Sequence, residues 1–193
     1  MLTEKKASAP SAAFLTSLNA VPNVLWSGLS LGPLSAFCYQ HMARPWLWGL
    51  LAASLLVYAV PKTWFRYWQL SRSRVPYQRL GVPAVNYFTQ HGYLVNFLIR
   101  RRYPHYRHAA GPAALRRLAS GSYHQERFHA SMLLFFAGTS VYAAAQGHLG
   151  WAVVLLLSNV GYNLYPIWLQ QYLRLRVAQH SGASSSFRSQ KPR

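Results

Sequence analysis

The chain has no aspartate, two glutamates and one cysteine in 193 residues. Each shortage removes a class of chemistry. With Cys38 alone, neither an intrachain disulfide nor a cysteine-based zinc or iron–sulfur site can form. With no aspartate, metal sites built on aspartate-rich motifs are excluded. One of the two carboxylates, Glu4, lies in the N-terminal tail. The other, Glu126, sits in "SYHQERFHASMLLFF" (122–136), where a polar stretch meets a long apolar run. No secretory signal is expected, because the first apolar stretch is broken by Pro22 and shows no cleavage site.

Against this shortage stand 20 Lys and Arg, for a formal charge of +18. Such an excess points to nucleic acid or to an anionic membrane surface. Composition separates the two. The chain is 52% hydrophobic with seven Trp and 13 Tyr, and 11% charged, where a soluble protein has about 25%. Basic nucleic-acid domains do not carry blocks such as "LWGLLAASLLVYAV". No nucleic-acid partner is expected. The composition fits an all-α integral membrane protein with basic cytoplasmic edges and membrane lipids as its surroundings.

About 20 apolar residues cross a bilayer as a helix, and four stretches approach that length: 17–40, 45–65, 128–146 and 149–171. The first is interrupted by Pro22, Gly28, Gly32 and Pro33. The second opens on Pro45, a good first-turn residue, and carries Trp46, Trp48, Trp64, Phe65 and Trp68 at its two ends as an aromatic belt. The link "QGHL" makes a hairpin of the last two. With four spans, every Lys and Arg except Arg44 falls on one side. The positive-inside rule places both termini and the 62–127 segment in the cytoplasm, in the cell (inner) membrane. Within that segment, a helix over 84–102 would put Tyr87, Leu94, Phe97 and Leu98 on one face, with Arg100, Arg101 and Arg102 at head-group level. That is the pattern of an interfacial amphipathic helix. The expected organisation is a tail over 1–16, one membrane domain over 17–177 with a basic, partly interfacial helical segment over 66–127, and a disordered serine-rich tail over 178–193.

Three polar constellations stand out. In "HQERFH", Glu126 and His129 are three apart and share a helical face. A carboxylate beside an imidazole orients the ring and supports its cationic form, which suits His129 as a general base towards a hydroxyl. The plainer alternatives are that Glu126 caps a helix N-terminus or offsets Arg127. In "SNVGYNLYPIWLQQYLRLR", Asn159, Asn163, Gln170 and Arg174 recur at intervals of four or seven along one stripe, and Pro166 should kink the helix. Polar groups at membrane depth are functional candidates, although bonds between helices are the common alternative. The third, "HGYLVN", spans His91 to Asn96; a His–Gly pair there is more often a turn than a catalyst. No P-loop, GxSxG or HExxH is present, the HxxxxD pair of lysophospholipid acyltransferases cannot exist, and the histidine spacings do not match membrane di-iron oxygenases.

These three elements, in this order, resemble the glycosyl-4,4'-diaponeurosporenoate acyltransferase family, small membrane proteins of carotenoid glycolipid biosynthesis. The resemblance covers about residues 60–177. It rests on His91-Gly92 with Asn96, on Glu126 with His129, and on Asn163, Pro166, Gln170, Tyr172, Arg174 and Arg176. Gln171 stands where that family usually has Arg, and Leu173 where it usually has Asn. The resemblance implies transfer of a fatty acyl group to a hydroxyl of a lipid or carotenoid glycoside, from an acyl donor such as acyl-CoA or acyl carrier protein. It calls for no metal or cofactor. The expected roles are His129 and Glu126 in catalysis, with His91, Asn96, Asn163, Gln170, Arg174 and Arg176 binding substrate. The rival reading is a non-catalytic lipid-binding or complex-organising subunit, in which Glu126 and His129 form a structural pair.

Overall fold

A computed structural model describes residues 9–107 and 112–189, and among these every regular element is helical, with no strand. The first helix, α1 (Ala12–His41), is capped by Ser11, whose hydroxyl accepts from the Phe14 amide at 3.3 Å. It starts within the expected tail and runs through both Pro22 and Pro33. Helix α2 (Arg44–Leu55) carries Pro45 in its first turn, as its fixed φ favours. Its 12 residues rise only about 18 Å. The rest of the expected second span is two 3₁₀ turns, Leu56–Ala59 and Lys62–Arg66. Pro61 separates them and has no N–H with which to carry a helical ladder forward.

Two short helices follow, α3 (Val75–Arg79) and α4 (Val82–Val85), then a 3₁₀ turn at Asn86–Phe88 and α5 (Tyr93–Arg102). The single helix expected over 84–102 is therefore broken. The break lies at 89–92, where His91 takes a left-handed φ of 56°. On α5 the buried side chains are Val95 and Ile99, whereas Leu94, Phe97 and Leu98 are exposed.

The long elements come last: α6 (Pro112–Ala145), α7 (Leu149–Asn159), a π-helical turn at Val160–Leu164, and α8 (Tyr165–Ser189). Residues Ala113–Ala145 and Leu149–Gln179 are long and apolar enough to cross a membrane by length and composition. Helix α8 reaches Ser189, so the tail expected to be disordered from 178 is helical that far, and 190–193 lie outside the described residues. Once a helix is nucleated, each further residue adds a hydrogen bond at little extra entropy, so a serine-rich stretch can extend it.

Helix α6 is central and packs against α2, α7 and α8, while α1 packs against α7. The Leu50 side chain of α2 fills the space beside Gly138 of α6, its Cδ2 2.6 Å from where a Cβ would stand. One apolar cluster (Leu34, Phe37, Phe135, Phe136, Leu155) joins α1, α6 and α7. Another (Tyr77, Val82, Leu169, Tyr172) seats α3 and α4 on α8. Between the two clusters runs a seam of polar side chains.

Candidate active site

The seam forms because α6 and the continuous helical run of α7, the π turn and α8 lie side by side, joined by the turn at 146–148, and each presents polar groups at helical spacing. On α6 these are Ser122, Glu126, His129 and the Leu133 carbonyl. Their partners, read backwards along that run, are Arg174, Gln171, Asn163 and Asn159. Arg174 donates from Nη1 to Ser122 Oγ at 3.2 Å and pairs through Nη2 with Glu126 Oε2 at 2.5 Å. Gln171 Nε2 donates to Glu126 Oε1 at 2.7 Å. His129 Nδ1 lies 3.4 Å from Asn163 Oδ1, Asn163 Nδ2 donates to Asn159 Oδ1 at 2.8 Å, and Asn159 Nδ2 donates to the Leu133 carbonyl at 3.0 Å.

Glu126 therefore does not have the partner the sequence suggested. It is 0% exposed and its bonds go to Arg174, Gln171 and, at 3.3 Å, Trp68 Nε1. The plainer alternatives fail as well. Glu126 sits well inside α6 and caps nothing, and Arg127 turns away to donate to the Val60 carbonyl at 2.7 Å. A buried carboxylate needs a cation and hydrogen-bond donors, and Arg174 with Gln171 and Trp68 provides them. The Arg174 guanidinium also stacks on the Tyr123 ring, 4.3 Å from its centroid.

The amide in this cluster is Gln171, not the expected Gln170, which is half-buried one residue away. The π-helical turn explains the shift. A regular helix returns to the same face after seven residues, which leads from Asn163 to Gln170. A π turn takes up an extra residue, so after Val160–Leu164 the seam position falls to Gln171. The turn ends two residues before Pro166, whose missing N–H would have left a gap in a continuous α-ladder.

Gln171 also reaches the segment between α2 and α3. Its Oε1 accepts from the Leu70 amide at 3.1 Å and the Tyr77 hydroxyl at 3.0 Å. Burial pushes the Tyr77 phenol up, so it stays a neutral donor. Glu126, Gln171 and Tyr77 thus pin the aromatic stretch around Trp68 onto α6 and α8. Trp68, Tyr77 and Gln171 are site residues that sequence reasoning did not find; the only hint is that Gln171 departs from the family pattern.

"HGYLVN" is a turn docked on α1. Asn96 Nδ2 donates to the His91 carbonyl at 2.6 Å and to that of Gly92 at 2.9 Å, and the His91 amide donates to Asn19 Oδ1 at 2.6 Å. The structure thus uses the Asn96 amide and the His91 backbone to shape the loop. A Cβ on Gly92 would lie 2.0 Å from the Asn86 carbonyl oxygen and 2.7 Å from that of Thr89. Gly92→Ala should therefore force the backbone apart and unseat this loop from α1. Faster proteolysis within 86–96 is the expected readout, and wild-type resistance would show that the turn adapts.

Arg176 is exposed beyond the seam on α8. Tyr162 joins α1 to the seam, its hydroxyl 3.0 Å from Ser27 Oγ and its ring 5.7 Å from that of His129. Among the described residues, no three His, Cys, Asp or Glu come together.

A model of the glycosyl-4,4'-diaponeurosporenoate acyltransferase family matches residues 61–182. No curated protein and no solved structure matches the chain. The matched stretch holds the docked loop, Glu126, His129 and the whole polar seam, and it covers more than half of the 193 residues. The chain belongs to the glycosyl-4,4'-diaponeurosporenoate acyltransferase family.

Proposed function

We propose that this protein is a multi-pass membrane acyltransferase that esterifies a hydroxyl of a lipid or carotenoid glycoside at the cytoplasmic interface. The observation that carries the reading is the setting of His129. The Asn163 amide nitrogen is used on Asn159, so its carbonyl oxygen faces the imidazole. An acceptor there assigns the proton to Nδ1 and leaves the lone pair on Nε2, the form a general base requires. As the acceptor hydroxyl oxygen bonds to the acyl carbonyl carbon, its proton passes to His129 Nε2. The tetrahedral oxyanion then collapses, the bond to the donor's leaving group breaks, and that group takes the proton back. With a thioester donor the leaving group is a thiol. No cofactor enters these steps.

Glu126 acts in this reading as part of the scaffold, tying Arg174, Gln171 and Trp68 together. Arg174, its charge already matched by Glu126, belongs to the scaffold, as does the fully buried Asn163. Gln170 and Arg176 serve the acceptor head and the anionic part of the donor, and the exposed His91 side chain contributes to substrate binding. A second reading, a non-catalytic lipid-binding subunit, is favoured by one observation: Glu126 and Asn163 are both 0% exposed and cannot touch a substrate. Untargeted lipid analysis of cells making the wild type or His129→Ala separates the two. A lipid that gains an acyl chain only with the wild type supports the enzyme, and identical profiles support the subunit.

The membrane reading rests on large apolar side chains facing outward on α1, α6 and α7. Val24, Leu29, Val141 and Leu157 are 67–69% exposed, an arrangement suited to lipid and unfavourable in water. In this reading four segments cross, namely α1, α2 with its 3₁₀ extension, α6, and α7 with the start of α8. The α5 face bearing Leu94, Phe97 and Leu98 lies along the bilayer with Arg100 to Arg102 at the head groups. Both termini are cytoplasmic. Single cysteines placed in a Cys38→Ala background provide the check. A cysteine near 147 should react with an impermeant reagent in intact cells, and one near 105 should not. The reverse pattern would invert the topology.

A further inference from the structure

Apart from the seam, the end of α5 and the entry to α1 frame a half-open cavity of about 450 Å³, lined by Pro10, Arg102, Tyr103, His105, Tyr106 and Arg107 among others. Ala12, at the start of α1, is about 22 Å along that helix from Ser27, where the seam begins. This is a separate place. Its walls are held in position. The Arg102 guanidinium lies over the Phe14 and Tyr103 rings, 5.9 and 6.0 Å from their centroids, and those rings pack at 5.8 Å. Arg100 Nε donates to the Tyr106 carbonyl at 3.3 Å, folding the following residues back towards the helix end.

The lining has two guanidinium groups and an imidazole, and Glu126, the one carboxylate among the described residues, is spent on Arg174. No described acid neutralises Arg102 or Arg107. Guanidinium groups present forked N–H donors that match the oxygens of phosphate, and the neighbouring tyrosines add hydroxyl donors and apolar faces. We propose that this cavity is a phosphate-binding site, placed to hold a phosphate-bearing group at the membrane surface. Two sources carry that chemistry, the headgroup of an anionic lipid and the phosphate end of a soluble molecule. Neither source requires His129 to be a base, so this site and the acyl-transfer reading fail independently.

The test uses the full chain and compares Arg102→Gln/Arg107→Gln with Arg72→Gln/Arg79→Gln, which removes the same charge from exposed positions elsewhere. In one arm, protein in phosphatidylcholine discs is titrated with inorganic pyrophosphate. In the other, protein in detergent is titrated with phosphatidic acid against phosphatidylcholine. Each lost charge-assisted bond should weaken binding by about tenfold or more. Such a loss confined to the cavity variant, in either arm, supports the site, and the arm in which it occurs identifies the source. Equal losses in both variants would mean attraction by net charge only and would overturn the proposal. Absence of binding by the wild type in both arms would overturn it too. Melting of each variant at the wild-type temperature shows that the comparison is made between folded proteins.

Discussion

Glu126→Gln should unfold more easily than the wild type by about 3–5 kcal/mol, the usual loss when one partner of a buried ion pair is removed. The amide keeps the shape and can still accept from Gln171 and Trp68, so the loss comes from the cation left behind. The Arg174 side chain is 12% exposed and has Ser122 and the Tyr123 ring as its other partners. With so little of that side chain exposed, water replaces the carboxylate only in small part. Adding Arg174→Met removes the stranded charge, and the double variant should regain a large part of the lost stability. Denaturation of purified protein in detergent measures all three. A Glu126→Gln protein with wild-type stability and a turnover lowered by a factor of about 100 would return Glu126 to the chemistry and remove it from the scaffold.

His129→Ala should do the opposite. General-base catalysis supplies a factor of about 10²–10⁴, and that loss is expected in acyl transfer by purified protein, with the unfolding transition close to wild type. His129 is half-buried, its contact to Asn163 is long at 3.4 Å, and its other polar bond goes to the neighbouring Tyr162 backbone, so its removal strands no buried charge. His129→Gln, which keeps a polar group in the same space but has no basic nitrogen, should be as inactive as the alanine variant. Activity retained by either would sink the general-base role. The two residues thus separate cleanly: one loses stability, the other turnover.

The helical, apolar character of this molecule and its family resemblance are legible in the chain itself, because composition and local spacing depend only on neighbours in sequence. The importance of Glu126 is legible too, since a chain with two carboxylates does not bury one without a cation to meet it. Its partner is not. Sequence spacing offers His129, three residues away, since adjacency on one helix is all that periodicity reports. The actual partners come from α8, 45 and 48 residues further on, across a packed interface. The π-helical turn then moves the amide from Gln170 to Gln171, because one extra residue in a turn rotates everything after it. The break at 89–92 escapes sequence reasoning for a related reason. Amphipathic spacing continues through it, whereas the left-handed His91 and the close carbonyls around Gly92 arise from docking on α1. Periodicity along the chain settles which residues are helical and which are rare enough to matter. Packing between helices settles what each of those rare residues touches, because a buried charge is satisfied by whichever element folds against it.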